Sequence, residues 1–194
     1  MLKFLNFNQK NSSKKLDSIL NVRKSQQQNQ SAIVKKILYN VKKNGDKAVI
    51  MYEKKFSNIK NKSKKLQFSK NEINSISKTI DKKLKKSIDT AFTRIKYFHS
   101  KQTYSAFKYR DKYKNELAYK YSPIERVGVY VPGGTASYPS TVLMNCIPAL
   151  VAGVKNIYLT TPAFGTAVNP AVIYAAKKCG VKEIYKTGGA HSIA

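Results

Sequence analysis

The strongest constraint on the fold is an alternation of short apolar strands and helices of about ten residues between residues 121 and 194. The pattern predicts strands over residues 127–131, 157–161 and 183–186, and helices over residues 140–152 and from Pro170 to just before Gly180. Strands joined by helices of this length pair in parallel with right-handed crossovers. The order βαβαβ therefore predicts half of a doubly wound α/β fold.

The composition changes sharply near residue 121, and this change divides the chain. Residues 1–120 hold 31 of the 37 lysines and arginines, one glycine and no proline. We predict a weakly structured N-terminal arm over residues 1–30 and a helical, Lys-rich region over residues 31–120. Residues 121–194 are predicted to form a Rossmann-like βαβαβ half-domain with a parallel sheet, incomplete at its C-terminus.

Apolar residues at helical spacing predict four helices in the second region. Ser31 is expected to cap the first, which ends at Gly45, and Asp46 to cap the second. A third helix is predicted over residues 70–81, and a strand over residues 117–121. The fourth helix is expected to turn one apolar stripe toward a core, formed by Leu84, Ile88, Ala91, Phe92, Ile95 and Phe98.

The net charge of +27 leaves two interpretations open. A basic chain can bind nucleic acid. However, the basic residues are mostly lysines spread over the first 120 positions, and only four arginines occur. Because arginine is the usual base-reading residue, the composition favours a solvated lysine surface over specific nucleic-acid binding.

Cysteine usage and hydropathy bear on where in the cell the protein is expected to be. Cys146 and Cys179 stand alone in apolar runs, which is typical of small buried residues in a reducing environment and not of a disulfide framework or a zinc cluster. No apolar run is long enough to span a membrane, and the N-terminus lacks signal-peptide features. A cytoplasmic protein is the expectation.

Two glycine pairs, Gly133-Gly134 and Gly188-Gly189, follow the carboxyl ends of predicted strands, where ligands bind in open α/β sheets. Tyr130 ends the first strand and could flank a ligand there, although such a tyrosine is more often a packing residue. His191 follows the second pair and is a candidate ligand-binding or acid/base residue, although lone histidines are more often structural. We interpret His99, at the end of a helix, as structural.

The order of segments carries a specific resemblance over residues 121–194. It runs through Pro123-Ile124-Glu125-Arg126-Val127-Gly128-Val129-Tyr130-Val131-Pro132-Gly133-Gly134-Thr135-Ala136, then Pro139-Ser140-Thr141-Val142-Leu143-Met144, Cys179-Gly180-Val181 and Gly188-Gly189-Ala190. This series resembles the signature of the histidinol dehydrogenase family. Gly45-Asp46-Lys47-Ala48 resembles the family more faintly.

The resemblance implies an NAD-dependent, zinc-dependent homodimer that oxidises L-histidinol to L-histidine, with a Glu–His pair moving protons. A family tyrosine that contacts NAD falls on Tyr130, and a family glutamine that contacts NAD falls on His191, which is a departure from the pattern. The resemblance places the zinc ligands and the Glu–His pair beyond the position of Ala194. No catalytic or metal residue is therefore expected within this chain.

We accordingly interpret the chain as an N-terminal fragment of such an enzyme, inactive by itself, whose third parallel strand would be an open apolar edge. A basic nucleic-acid-binding protein and a non-catalytic partner subunit are the alternatives. The resemblance favours the enzyme, because its motifs lie in the least basic part of the chain.

Overall fold

The computed structural model describes residues 11–56, 65–133, 138–163 and 168–194, except for the side chains of residues 19–30. Seven helices and five strands lie within these residues. In chain order they are α1 Ser12–Asn44, α2 Asp46–Phe56, α3 Lys70–Lys78, α4 Lys82–Ser100, β1 Phe107–Arg110, β2 Glu116–Tyr119, β3 Arg126–Tyr130, α5 Pro139–Val151, β4 Asn156–Thr160, α6 Pro170–Lys178, β5 Glu183–Tyr185 and α7 Ala190–Ile193.

The predicted parallel sheet is confirmed. Its strands lie in the order β3-β4-β5, and both pairs are parallel. The register aligns Val129 with Leu159 and Leu159 with Ile184, and this row is buried in the main core together with residues of α5 and α6. Side chains alternate along a strand, so the neighbouring row of Tyr130, Thr160 and Tyr185 belongs to the opposite face.

The helices of the half-domain begin where the sequence predicts. Pro139 and Pro170 occupy the first turns of α5 and α6, and the Asn169 side chain accepts a hydrogen bond from the Ala171 N–H at 2.8 Å. Both cysteines are free and buried, as predicted. Cys146 lies in α5 and Cys179 directly follows α6, so the two pack within the core that these helices share.

Helices α3 and α4 cover the same core. Ile73, Ile76 and Ile80 pack against it, as their spacing predicts. The predicted core-facing stripe of α4 is correct in the middle of the helix but wrong at its two ends. Leu84 is 42% and Phe98 is 62% exposed. These two residues lie in the first and last turns, and α4 contributes to the core through Ile88, Ala91, Phe92 and Ile95 between them.

The predicted cap at Ser31 is wrong. Helix α1 runs without a break from Ser12 to Asn44, so Ser31 is an exposed interior position. Residues 12–30, which we expected to be weakly structured, contain neither glycine nor proline, and nothing in the backbone chemistry stops the helix there. The predicted end is correct, because Gly45 has a φ of 55° and its N–H donates to the Val41 carbonyl.

A hairpin stands outside the main core. Strand β2 covers most of the predicted strand, but its antiparallel partner β1 was not predicted. Every residue of both strands is exposed, so no buried face imposes the usual apolar pattern on them. Phe107 and Tyr119 stack across the hairpin with ring centroids 5.5 Å apart.

The edge of β5 is not open, contrary to prediction. The segment over residues 65–69 lies along it in the antiparallel direction, with an isolated bridge between Gln67 and Tyr185. The Phe68 N–H donates to the Ile184 carbonyl at 2.9 Å, and the Lys186 N–H donates to the Leu66 carbonyl at 2.6 Å. Backbone groups that would otherwise be exposed on an edge strand are thereby paired.

An ion pair ties α3 to this edge. Lys186 Nζ lies 2.6 Å from Glu72 Oε1, while Glu72 Oε2 accepts the Ser69 N–H in a capping box. The hydrogen bond from Lys186, followed by that from Ser69, lowers the pKa of Glu72 from 4.5 to about 2. A carboxyl group whose pKa is depressed by folding stabilises the fold above its unfolded pKa, and this contribution is lost as the pH falls through the folded value.

We therefore expect the Lys186→Met variant to lose less stability than the unsubstituted chain between pH 4.5 and 2. At pH 7 the variant should be less stable by only about 0.5 kcal/mol, because the Glu72 side chain is 43% exposed and solvent screens the pair. Urea unfolding at several pH values measures both effects. Identical pH dependence of the two proteins would show that the pair does not contribute to acid sensitivity.

Among the residues that the structure describes, no helix is long and apolar enough to cross a membrane.

Candidate functional site

The carboxyl ends of β3 and β5 bring Tyr130 and the glycine loop at residues 188–189 together. Tyr130 is the last residue of β3, and its phenol oxygen accepts a hydrogen bond from the Gly189 N–H at 3.3 Å. The two residues are 59 positions apart in the sequence. Parallel strands place their carboxyl ends at one edge of the sheet, which is why the two predicted elements meet there.

Both residues of this loop need to be glycine, for different reasons. Gly189 has a φ of +67°, a left-handed conformation that residues with a side chain rarely adopt. Gly188 packs against the ring of Pro162, and a Cβ at residue 188 would lie 2.6 Å from Pro162 Cβ. The loop is therefore held between a proline that follows β4 and the start of α7.

His191 lies in α7 with only 3% of its surface exposed. Its Nε2 lies 2.9 Å from Glu53 Oε1, and the same oxygen accepts the Gly188 N–H at 2.7 Å. The imidazole also packs beside Tyr52 and Phe56 of α2, with centroid distances of 5.8 and 6.0 Å. The side chain of His191 is thus directed at α2.

Glu53 is the site residue that the sequence interpretation missed. It is 5% exposed, and the buried positions of α2 are Ala48, Val49, Tyr52 and Glu53. This spacing follows the apolar face of the helix, so a carboxylate at position 53 was a detectable signal of a buried polar contact. Its partner could not be identified from the sequence, because it lies 138 residues away.

Two buried polar atoms of the site have no hydrogen-bond partner within the described parts of the chain. They are Nδ1 of His191 and Oγ1 of Thr187. Nδ1 lies on the side of the ring that faces Gly189, since a Cβ at Gly189 would approach it to 3.4 Å. Buried polar groups are normally paired, so these two atoms have hydrogen-bonding capacity beyond what the described residues use.

A cavity of about 710 Å³ adjoins both residues. It lies over the face of the sheet that α5 and α6 leave uncovered, and its walls include Gly128, Tyr158, Thr160, Tyr185, Thr187 and His191. Its far side is formed by α1 and α2 through Val41, Asp46 and Val49. Tyr130, Gly188 and Gly189 are not among the lining residues, but the loop lies in the chain between Thr187 and His191, which are, and Tyr130 contacts that loop.

The described residues contain no group of three or more His, Cys, Asp or Glu side chains that could hold a metal ion. His99 lies outside the site, on α4, where its Nδ1 is 2.6 Å from Gln102 Oε1.

A family model described as histidinol dehydrogenase matches residues 20–194. The chain belongs to the histidinol dehydrogenase family. The histidinol dehydrogenase of Pelagibacter ubique is 51% identical over all 194 residues, and that of Carboxydothermus hydrogenoformans is 43% identical over 161 residues. The crystal structure of histidinol dehydrogenase from Elizabethkingia anophelis has a TM-score of 0.78 and 36% identity over 84% of this chain.

The chain spans less than half the length of these relatives. It covers 44% of the Pelagibacter histidinol dehydrogenase, 38% of the Carboxydothermus enzyme and 37% of the Elizabethkingia structure. These values agree with our interpretation of the chain as the N-terminal part of a histidinol dehydrogenase. The comparisons support neither alternative, the nucleic-acid-binding protein or the non-catalytic partner subunit.

Proposed function

We propose that this chain is the NAD-contacting part of a histidinol dehydrogenase, an enzyme that oxidises L-histidinol to L-histidine. The observation that carries the proposal is the convergence of Tyr130, the loop at Gly188 and Gly189, and His191 at one edge of the parallel sheet. Both cofactor residues that the family resemblance implies lie at this edge, although they are 61 positions apart in the chain.

The residues present fit a ligand with many hydrogen-bonding groups. His191 Nδ1 and Thr187 Oγ1 are buried and without protein partners among the described residues, and the glycines bring backbone close to the space beside Tyr130. A dinucleotide offers hydroxyl, amide and phosphate groups to such positions. When bound, NAD would supply the hydride acceptor of the oxidation.

Tyr130 has two tasks in this proposal. Its hydroxyl accepts the Gly189 N–H and holds the loop, while its half-buried ring offers an apolar flank to the cofactor. His191 differs from Tyr130 because its ring is buried against α2. We therefore propose that His191 contacts NAD only through Nδ1, and that the cofactor lies on the Gly189 side of the ring.

The remaining implications of the family stay proposals for the whole enzyme. The described residues do not form a zinc site, and we assign none of them to zinc or to the proton-transferring pair. The homodimer, the cytoplasmic location and the use of L-histidinol as substrate are proposed from membership of the family.

Substituting Tyr130 tests the proposal directly. We expect Tyr130→Ala to weaken NAD binding about tenfold, because it removes the ring that flanks the cofactor and the acceptor that holds the loop. Tyr130→Phe should lose less, since the ring remains. Isothermal titration calorimetry measures both affinities.

The matched control is Tyr109→Ala, in the exposed hairpin, which should leave NAD affinity unchanged. Circular dichroism would verify that all variants are folded. If the folded Tyr130→Ala protein bound NAD as tightly as the unsubstituted chain, Tyr130 would be a packing residue and the proposed cofactor site would be misplaced.

A further inference from the structure

We propose that Glu53 is a positioning residue of the cofactor site, which orients His191 so that Nδ1 accepts a hydrogen bond from an N–H or O–H group of bound NAD. The inference rests on the proposed function, and adds to it a residue of α2 and a defined chemical role for each nitrogen of the imidazole ring. The role assigned to Glu53 follows from three features of the buried contact.

The first feature is that one carboxylate oxygen serves both the ring and the loop. Glu53 Oε1 lies 2.9 Å from His191 Nε2 and 2.7 Å from the Gly188 nitrogen. The backbone N–H of Gly188 can only donate, so this oxygen acts as an acceptor. The contact joins α2 to the loop and to α7 across 138 residues of sequence, in a place where both side chains are less than one-tenth exposed.

The second feature follows from the chemistry of the two groups. An ionised carboxylate has no proton to donate, so the hydrogen bond to Nε2 requires a proton on Nε2. In a neutral imidazole the other nitrogen then carries a lone pair and accepts hydrogen bonds. With Glu53 ionised and His191 neutral, the contact selects the tautomer that is protonated on Nε2 and leaves Nδ1 as the acceptor.

The third feature is the position of that acceptor. Nδ1 is buried, has no partner within the described residues, and faces Gly189, whose own N–H donates to Tyr130. A buried acceptor without a partner is costly, and a ligand donor at this position would remove that cost. The donor of NAD can be the nicotinamide carboxamide or a hydroxyl or amino group of the ADP-ribose part, since each presents an N–H or O–H group.

Nuclear magnetic resonance of the histidine rings tests the inference, because the chain contains only His99 and His191. Ring nitrogen-15 shifts in histidine-labelled protein distinguish the two tautomers and the doubly protonated ring. The His99→Gln variant assigns the signals. We expect His191 without ligand to carry its proton on Nε2 only.

Saturating NAD should shift the Nδ1 resonance of His191 in the direction of hydrogen bonding and leave His99 unmoved. ADP-ribose, which lacks nicotinamide, separates the two possible donors: a shift with NAD alone assigns the carboxamide, and a shift with both assigns the ADP-ribose part. No Nδ1 shift with NAD that does bind would overturn the inference while the proposed function stands.

Two substitutions separate positioning from folding. Glu53→Gln keeps a hydrogen-bonding side chain of the same shape, but its neutral amide can also donate, so it no longer enforces one tautomer. We expect this variant to remain folded, to show a mixture of tautomers at His191 and to bind NAD about tenfold more weakly. His191→Gln, which retains both a donor and an acceptor, should keep NAD affinity, whereas His191→Leu should lose about tenfold.

Several results would overturn the inference. They are a doubly protonated His191 ring in the free protein, a proton on Nδ1, or an unchanged tautomer and NAD affinity in folded Glu53→Gln. Failure of the unsubstituted, folded chain to bind NAD would instead contradict the proposed function and, with it, the ligand assigned to Nδ1. The ligand-free tautomer would then still report whether Glu53 orients the ring, so the two failures are distinguishable.

Discussion

Replacing Glu53 by alanine is expected to lower the free energy of unfolding by about 3 kcal/mol, the largest effect that we expect from a single substitution in this chain. The substitution removes one acceptor that serves two buried donors, His191 Nε2 and the Gly188 N–H. Both donors would remain in a place from which water is largely excluded. The hydrogen-bonded connection between α2 and α7 would be lost, and only the packing of the His191 ring beside Tyr52 and Phe56 would remain.

Urea unfolding followed by circular dichroism measures this change. The matched control is Glu116→Ala, which removes a glutamate whose ion pair with Lys108 lies on the exposed hairpin. That variant should lose less than about 1 kcal/mol. Equal losses in the two variants would mean that the buried contact of Glu53 contributes no more than a surface ion pair.

The Gly188→Ala variant is expected to lose about 2 kcal/mol of stability and most of its affinity for NAD. The added Cβ would lie 2.6 Å from Pro162 Cβ and 2.9 Å from Pro162 Cγ, and the ring of proline cannot rotate away. The loop must therefore move. Any such movement lengthens the hydrogen bond from the Gly188 N–H to Glu53 and displaces Gly189 from Tyr130.

Gly128→Ala is the control for Gly188→Ala. Gly128 lies in β3 beside the same cavity, but a Cβ there would meet no atom within 4 Å, and its φ is not in the left-handed region. Its stability should change by less than about 0.5 kcal/mol. Thermal or urea unfolding and NAD titration of both variants provide the comparison. A Gly188→Ala protein as stable as Gly128→Ala would show that Pro162 yields at little cost.

Together these substitutions separate the residues that hold the loop from the residues that we propose contact the cofactor. Glu53 and Gly188 hold the loop in place, Gly189 gives it the left-handed turn, and Tyr130 and His191 are the side chains that we propose meet the cofactor. Substitutions of Glu53 and Gly188 should change stability and NAD affinity together, whereas Tyr130→Phe should change affinity with little effect on stability.

The amino-acid sequence by itself determined the α/β half-domain. Strands β3, β4 and β5, the start of α5 to within one residue, the start of α6 at Pro170, and the turn at Gly188 and Gly189 all follow from local signals. These signals are apolar runs of strand length, proline at the first turn of a helix, and glycine where the backbone must turn sharply. The parallel order follows in turn, because consecutive strands joined by helices have few alternatives. The motifs of residues 121–194 also indicated the family, and the family model confirms it.

Only the tertiary structure decided which distant segments meet. The pairing of Glu53 with His191, the antiparallel strand-like segment at residues 65–69 on the edge of β5, and the exposure of Leu84 and Phe98 could not be predicted from periodicity. Periodicity reports which face of an element is apolar, whereas these features depend on which other element covers that face and how far the contact extends. A carboxylate on the apolar face of α2 was visible in the sequence, but its partner was brought to it by the folding of the 137 residues between them.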